Sequence, residues 1–235
     1  MMQIARFLYH RVRRLVPAWR TRPGGWLPEE LLRLVDERGL FIHIPKAAGN
    51  SVCQALYGMK IHHRPAGEIR LFHPWRYRRW YKFAVVREPV DRFLSSYDFL
   101  SRGGKNSQDA AFRDNFIRNV GDINAFIQRL SDTAFRQKVM RYFHFRPQFY
   151  YVCVARRCIV NRLIPFERMN EELPPLLAGA SVPFVNVTGG NRTPVSVLSP
   201  ENLAFVQKLY RIDRTLHQLA SSESGKNVYG MILQP

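Results

Sequence analysis

Residues 40–59 of the chain read LFIHIPKAAGNSVCQALYGM. The apolar run Leu40–Ile44 has the length of a buried strand, and Pro45 ends it. From Ser51 onward, apolar residues recur at helical spacing, which predicts an amphipathic helix. The stretch therefore predicts a strand, a tight loop and a helix, in that order.

The loop between this strand and this helix is rich in small residues and carries one lysine, Lys46. Small residues let backbone N–H groups approach an anion, and the start of a helix adds positive potential. Ser51 is placed to cap the helix and to offer a hydroxyl to the same anion. Because Lys46 precedes Gly49, the pattern disfavours an ordinary P-loop NTPase, in which the lysine follows the glycine. A phosphate-binding loop and a plain strand-turn-helix are both compatible with this string alone.

A second strand-to-helix turn lies at residues 82–97, KFAVVREPVDRFLSSY. The apolar segment Lys82–Val86 predicts a strand, and the residues beyond it carry an i, i+3, i+4, i+7 apolar stripe. Two such turns are typical of the ligand-binding edge of an open parallel sheet. The sequence therefore predicts an α/β fold, a single domain whose central parallel sheet is flanked by helices, with a P-loop-like strand-loop-helix.

Two residues of this second turn suit an anion. Arg87 stands where the strand ends, and Ser95 lies in the following helix. An arginine and a hydroxyl so placed can share one phosphate, the arginine through forked charge-assisted bonds. Alternatively, Arg87 pairs with Glu88 or Asp91, as most surface arginines pair with nearby acids.

The rest of the chain organises around this domain. We expect a basic arm at residues 1–38, the domain itself at 39–220 and a tail at 221–235. The remaining predicted elements are a helix at Pro28–Glu37, a loop at 102–122, helices through about Lys138–Tyr142, strands near Tyr151–Val154, Ile159–Pro165 and Phe184–Val187, a helix near Asn170–Ala178, and a final helix capped by Ser199 and running past Tyr210 to Leu216.

The charge balance points to anionic partners. Thirty-six Lys and Arg against 18 Asp and Glu give a net charge of +18, which attracts nucleotides, anionic lipids, polyanionic glycans or nucleic acid. Three cysteines make no complete disulfide framework, and the arginine-rich N-terminus has no apolar core of a signal peptide. We therefore expect a cytoplasmic protein, with the arm in peripheral contact with a membrane. A Golgi lumen is the alternative, for a truncated enzyme.

Together the two motifs resemble those of the PAPS-dependent sulfotransferases, in particular the carbohydrate-type branch with IHIPKxxGxS followed by FxxVRxPxxRxxSxY. Similarity extends over about residues 40–215. The resemblance implies that the first loop wraps the 5′-phosphosulfate of PAPS and that the second motif holds the 3′-phosphate. The implied donor-binding residues are Lys46, Ala47, Ala48, Gly49, Asn50, Ser51, Arg87 and Ser95. The chain departs from the usual pattern at Ala47-Ala48, commonly Thr-Gly, and at Asn50, commonly Thr.

The resemblance also implies roles in catalysis. Sulfuryl transfer should proceed in line, without a metal, and release PAP. We assign Lys46 to the leaving group and His63 to the proton of the acceptor hydroxyl, because its His-x-Pro-Ala context resembles the catalytic-loop histidine of the family. His62 and His73 are the runners-up, and Glu68 is a weaker candidate base. The expected acceptor is a glycan or glycolipid, which can itself be anionic.

Four further polar residues fall within the region of similarity. Arg146 and Gln148 are interpreted either as contacts to donor or acceptor or as a buried structural pair. Glu167 and Asp213 are interpreted as ion-pair partners of nearby arginines.

Two rival functions fit parts of the sequence. A small nucleotide kinase would use a similar loop, but no carboxylate stands ready for Mg²⁺ at a strand end. A binding module for nucleic acid or a membrane surface would explain the charge, but the chain has no RNA-binding signature or repeated basic-aromatic pattern. No nucleic-acid partner is therefore expected.

Overall fold

The computed structural model describes residues 27–177 and 192–234. Its centre is a three-stranded parallel sheet in the order β1-β2-β5, formed by Leu40–Phe41, Lys82–Val86 and Arg162–Pro165. Leu40 pairs with Lys82, and Phe83 pairs with Arg162. Every residue of the middle strand is buried, as expected for a sheet covered on both faces. The prediction of a single α/β domain with a central parallel sheet is confirmed.

Helices cover this sheet and extend beyond it. The α-helices are α1 Glu29–Arg38, α2 Gly49–Tyr57, α3 Ala66–Phe72, α4 Pro74–Arg79, α5 Pro89–Ser101, α6 Ser107–Phe116, α7 Ile123–Arg129, α8 Thr133–Arg141, α9 Phe149–Val152, α10 Met169–Glu172, α11 Pro200–Leu209 and α12 Arg211–Ser221. Short 3₁₀ turns lie at Phe166–Arg168, Pro174–Leu177, Val195–Val197 and Glu223–Lys226. A two-stranded antiparallel hairpin joins β3 Cys153–Val154 to β4 Arg157–Cys158. No helix within the described ranges is both long enough and apolar enough to cross a bilayer.

Two apolar cores hold these layers together. One surrounds the sheet, and the other lies beneath α5, where Phe93, Phe126 and Phe145 pack with ring centroids 5.3–6.2 Å apart. The apolar stripe predicted for α5 is buried in this second core: Val90, Phe93, Leu94 and Tyr97. This helix therefore carries Ser95 on a rigid support, and Arg87 lies two residues before its first residue.

Some predicted boundaries are wrong, and local backbone chemistry explains them. The first strand ends at Phe41, although Ile42 still donates to the Phe83 carbonyl at 2.8 Å. The following helix begins at Gly49, with Ala48 at its N-cap, so Ser51 lies in the first turn rather than at the cap. The predicted loop 102–122 contains α6, because the Asn106 side chain accepts from the Asp109 N–H and starts a helix.

The later elements differ more. Residues predicted as a strand near Tyr151–Val154 form the end of α9 and the two residues of β3. The strand expected from Ile159 begins at Arg162, and the helix predicted near Asn170–Ala178 is short turns from Phe166 to Leu177. The predicted strand at Phe184–Val187 lies outside the described residues.

The final predicted helix is two helices. Ser199 caps α11 as expected, since its side chain accepts from the Asn202 N–H at 3.2 Å. The helix breaks at Tyr210, whose hydroxyl donates to the Phe145 carbonyl at 2.6 Å. The break turns the chain so that Leu216, in α12, still reaches the core.

The segment after Ala220 packs back onto the hairpin. The Cys158 N–H donates to the Met231 carbonyl, and the Gly230 N–H donates to the Cys158 carbonyl, both at 2.8 Å. Val228 and Leu233 are buried. Cys153 and Cys158 face each other across the hairpin as free thiols, with their Sγ atoms 3.3 Å apart.

Candidate functional site

The loop that follows β1 wraps tightly before α2. Lys46 and Ala48 both adopt left-handed backbone conformations, with φ of 66° and 55°. Side chains other than glycine pay a steric cost in this region, so the tertiary structure must hold the loop in place. The Ser51 and Val52 N–H groups donate to the Ala48 carbonyl at 3.0 and 3.3 Å, so the N–H groups that the helix itself leaves without partners are those of Gly49 and Asn50. The loop and the helix start therefore present backbone donors beside Lys46.

Gly49 is required by the neighbouring ring of His43. A Cβ atom at position 49 would lie 1.8 Å from Cδ2 of His43 and 2.1 Å from its Nε2. Only a glycine lets the helix start approach this ring so closely. His43 is buried, and its Nδ1 lies 3.0 Å from the Ile61 carbonyl oxygen. The helix start and the His43 ring are thus fitted to each other.

Lys46 is partly enclosed, and its charge is poorly compensated. Its Nζ lies 4.2 Å from the centre of the Phe99 ring. Burial, followed by the nearby positive charges of Arg87, Lys105 and Arg102, lowers the pKa of Lys46 to about 8. An anion bound here would restore the ammonium form, because an opposite charge favours it.

Arg87 lies at the carboxyl end of β2 and reaches the same loop. Its Nη1 donates to the Lys46 carbonyl at 3.1 Å, and its Nε donates to Asp91 at 2.5 Å. The Asp91 alternative raised by the sequence is therefore the contact present. The remaining nitrogen, Nη2, is buried and has no hydrogen-bond partner among the described residues. Ser95 is half-buried and lies one helical turn beyond Asp91, on the same side of α5.

Gln148 holds the backbone of Arg87. Its Oε1 accepts from the Arg87 N–H at 3.0 Å, and its Nε2 donates to the Arg87 carbonyl at 2.8 Å. Gln148 is fully buried. Its own N–H donates to Asp213 at 2.6 Å, and the Phe149 N–H donates to the other oxygen of that carboxylate at 2.9 Å. Of the two interpretations offered by the sequence, Gln148 is the buried structural one.

Arg92 joins the Lys46 loop to the segment before Gln148. Its guanidinium donates to the carbonyl oxygens of Pro45, His144 and Arg146 at 3.3, 3.1 and 2.6 Å. The side chain is only 1% exposed. One buried cation therefore sets the distance between two loops that carry candidate functional residues. The sequence contained Arg92 within its second motif but gave no signal for this role.

His63 lies against the first loop. Its Nδ1 is 3.1 Å from the His43 carbonyl oxygen, and the two imidazole centroids are 3.9 Å apart. Since a carbonyl only accepts, Nδ1 must carry the proton of the neutral ring, and Nε2 keeps the lone pair. Burial, and next the charge of His43, lowers the pKa of His63 to about 3. The ring is therefore neutral at physiological pH.

A third histidine, which the sequence did not single out, completes this cluster. The His144 ring lies 6.4 Å from that of His63 and 4.9 Å from that of Phe99, the ring that Lys46 covers. Its Nε2 is 3.6 Å from Asp109, which also accepts a short hydrogen bond from the Tyr142 hydroxyl. These partners, with the Lys105 N–H, hold the pKa of Asp109 at about 2 despite its burial. The residues come from α6 and from the segment after α8.

The other candidate bases lie in different surroundings. His62 is exposed. His73 is buried, and its Nε2 accepts from the Leu27 N–H at 3.1 Å. Glu68 lies 3.6 Å from Arg64 in an ion pair. Of the histidines considered, His63 is the one brought beside the Lys46 loop.

The ion-pair predictions for Glu167 and Asp213 need correction, and the structure shows the contacts of Arg146. Glu167 contacts His217 at 3.0 Å rather than an arginine. Asp213, in α12, is fully buried, and its carboxylate accepts from the Gln148 and Phe149 N–H groups at the start of α9 instead of from an arginine. Burial raises its pKa to about 6. Arg146 covers the Tyr150 ring at 4.7 Å and donates to the Arg141 carbonyl.

The arrangement gathers four features around a single loop: one lysine, one arginine whose Nη2 has no partner among the described residues, a helix start and a neutral histidine. Such a set is suited to binding a phosphorylated ligand and accepting a proton beside it. Within residues 27–177 and 192–234, no three His, Cys, Asp or Glu side chains are grouped to hold a metal ion.

Comparison with known proteins agrees with this chemistry. A family model described as "Sulfotransferase family" matches residues 36–183, which is more than half of the chain. No curated protein and no solved structure gives a significant match.

Proposed function

Because the chain belongs to the sulfotransferase family, whose members transfer sulfuryl groups, we propose that it moves this group from PAPS to a hydroxyl of a glycan or glycolipid. The observation that carries the proposal is the contact between the two motifs. The Arg87 guanidinium donates to the Lys46 carbonyl at 3.1 Å while its Nη2 stays buried without a described partner. A buried guanidinium nitrogen without an acceptor is costly unless a ligand supplies one.

The two ends of PAPS match the two sides of this contact. The 5′-phosphosulfate would lie on the N–H groups of the loop and of the first turn of α2, beside Lys46. The 3′-phosphate would bind Arg87, which lies between β2 and α5, and the hydroxyl of Ser95, in the second turn of α5. Binding there requires the Arg87 guanidinium to exchange Asp91 for phosphate, or to donate to Asp91 and to phosphate through different nitrogens. Asp91 is partly exposed and can turn to solvent.

The proposed reaction forms one bond to sulfur and breaks another. The acceptor oxygen forms a new bond to sulfur while the bond from sulfur to the bridging phosphate oxygen breaks, giving a sulfate ester, PAP and one proton. Negative charge then grows on the departing phosphate. Lys46 is placed to neutralise that charge, and a preorganised donor of this kind accelerates transfer by about 10²–10³.

His63 is the proposed acceptor of the proton. The hydrogen bond of its Nδ1 to the His43 carbonyl leaves Nε2 as the basic nitrogen. In the free protein the low pKa of His63 keeps its ring unprotonated. The bound anionic donor would raise the pKa of His63 toward neutrality. His73 is less suited, because its Nε2 already accepts from the Leu27 N–H.

A glycan or glycolipid acceptor is supported by the carbohydrate-type motifs and by the net charge of +18. Positive charge of this size raises the local concentration of acceptors that already carry carboxylate or sulfate groups. We further propose that the arm at residues 1–38 brings a cytoplasmic enzyme into peripheral contact with a membrane, where glycolipids are found.

The experiment that tests the function is a thermal shift of the full chain with PAP, ATP and AMP at equal concentration. A ligand present at 100 times its Kd stabilises a protein by about 2.7 kcal/mol, which is about 5–10 °C at this size. We expect a shift with PAP that ATP and AMP do not give and that Arg87→Ala abolishes. Equal shifts with ATP would favour the kinase. No shift with any nucleotide would overturn the proposal.

A further inference from the structure

Two large apolar side chains at the junction of α3 and α4 are exposed, with arginines nearby that form no ion pair with a described residue. Trp75 is 77% exposed and Leu71 is 64% exposed, more than any other large apolar residue described. They stand two residues on either side of His73, at the junction of α3 and α4. Four residues of chain keep their Cα atoms within about 14 Å of each other. Large exposed apolar groups this close together mark an interaction surface.

Arginines border these two side chains. Arg70 is adjacent to Leu71, and Arg78 and Arg79 lie three and four residues after Trp75, on the same side of α4. All three are exposed, and none forms an ion pair with a described residue.

The acidic side chains that form ion pairs with α3, α4 or the segment before them do so with other arginines. Arg76 lies 3.8 Å from Glu29 and 3.4 Å from Asp36, and Arg64 pairs with Glu68. Within the part of the chain that the structure describes, the three bordering arginines therefore have no acidic partner.

The first described residue contacts this same junction. Leu27 is the first described residue, and its N–H donates to Nε2 of His73 at 3.1 Å. The preceding sequence carries six arginines between positions 6 and 22. Leu27 is therefore held against the residue that separates Leu71 from Trp75 in the sequence.

We propose that this face, formed by Arg70, Leu71, Trp75, Arg78 and Arg79, docks on an anionic lipid surface. Trp75 and Leu71 enter the boundary between headgroups and acyl chains, and the arginines bind the anionic headgroups. Tryptophan suits this depth because its ring is apolar while its indole N–H stays hydrogen-bonded. The proposal is independent of sulfuryl transfer, because lipid binding is measured without donor or acceptor.

The test is co-sedimentation of the full-length protein with vesicles of phosphatidylcholine containing 30% phosphatidylglycerol, compared with phosphatidylcholine alone. We expect binding to the anionic vesicles that weakens as salt is raised. Leu71→Ser/Trp75→Ser should weaken it by about tenfold or more. The matched control Val195→Ser/Val197→Ser removes two other exposed apolar side chains and should bind as the unaltered protein does.

A second pair of variants tests the arginines. Arg70→Gln/Arg78→Gln/Arg79→Gln should lose about fivefold in binding for each arginine. Lys208→Gln/Arg211→Gln/Arg214→Gln makes the same change of net charge on α11 and α12 and should lose much less. Equal losses in the two triple variants would mean that binding follows net charge alone and would overturn the assignment to this face. Unchanged binding by Leu71→Ser/Trp75→Ser would also overturn it. Soluble heparin provides a further check: if Arg70→Gln/Arg78→Gln/Arg79→Gln loses heparin binding but keeps vesicle binding, the assignment is likewise overturned.

Discussion

The side-chain amide of Gln148 pairs with both backbone groups of Arg87, accepting from its N–H at 3.0 Å and donating to its carbonyl at 2.8 Å. The two residues are 61 positions apart in the chain. Gln148 thus takes the place that a neighbouring strand would fill at the end of β2. It fixes the point from which the Arg87 guanidinium extends.

Gln148→Ala should therefore weaken recognition of the 3′-phosphate selectively. Arg87 would lose two backbone hydrogen bonds, which costs about 1–3 kcal/mol of stability for each buried group left unpaired. We expect the Kd of PAP to rise about tenfold and that of AMP, which lacks the 3′-phosphate, to change less than twofold. Calorimetric titration of both ligands measures this. A parallel loss for PAP and AMP would indicate general damage to the fold.

Gly49→Ala should disturb the histidine cluster. The added Cβ would lie 1.8 Å from the His43 ring, so the ring must move, and His63 packs on that ring. We expect a loss of about 1–3 kcal/mol in the free energy of unfolding. In a double-mutant cycle, His43→Ala makes room for the methyl group, so Gly49→Ala should cost much less in that background. Additive losses in urea unfolding would show that the contact is not the cause.

Lys46 should determine the alkaline limit of activity. Its pKa is lowered to about 8 by burial and neighbouring cations, so the charged form is lost as pH rises through 8. We expect kcat/KM to fall about tenfold per pH unit above pH 8, because kcat/KM reports the free enzyme. Lys46→Arg, which stays charged, should remove this limit. Lys46→Ala should lower transfer by about 10²–10³ at pH 7 while PAP still binds; wild-type turnover in that variant would exclude the assigned role.

His63→Ala should lower transfer by about 10²–10⁴ without weakening PAP binding, as expected for loss of a general base. His62→Ala is the matched control, since that ring is exposed beside it, and it should remain active. His144→Ala is measured in parallel, because its ring lies 6.4 Å from His63. If transfer survives in His63→Ala but is lost in His144→Ala, the base is His144.

Acid should destabilise the fold through its buried histidines. The pKa values of His43 and His63 are lowered to about 4 and 3 by burial, whereas the unfolded rings have a pKa of about 6.5. Below pH 6.5 the unfolded state binds more protons, so each ring removes about 1.4 kcal/mol of stability per pH unit. Asp213 opposes this between about pH 6 and 4, because its pKa is raised in the folded state. Urea unfolding midpoints at pH 7.5 and 5.0 should show a net loss of stability on acidification that is smaller in His63→Gln than in the unaltered protein. An equal loss in the two proteins would show that His63 does not contribute to the acid sensitivity.

Local patterns in the sequence were sufficient for the sheet and for the residues that the two motifs carry. The strand Lys82–Val86 and the apolar stripe along α5 are confirmed. A strand buried on both faces gives a continuous apolar run, and a helix buried on one face gives apolar residues at a repeat of 3.6, so both can be recognised from neighbouring residues. Lys46, Arg87 and His63 were identified in the same way, from residue type, spacing and resemblance. Their assigned roles remain predictions.

What only the tertiary structure decided is how these residues are held. The pairing of Gln148 with Arg87, the fit of Gly49 to the His43 ring and the approach of His144 to Asp109 all join distant positions or depend on side-chain direction. A single sequence carries no local signal for such contacts, because they arise from packing between elements rather than from the conformational preference of any one element. The chain thus determined its strand-loop-helix units by itself, while the folded packing determined which polar groups are paired and which have no partner among the described residues.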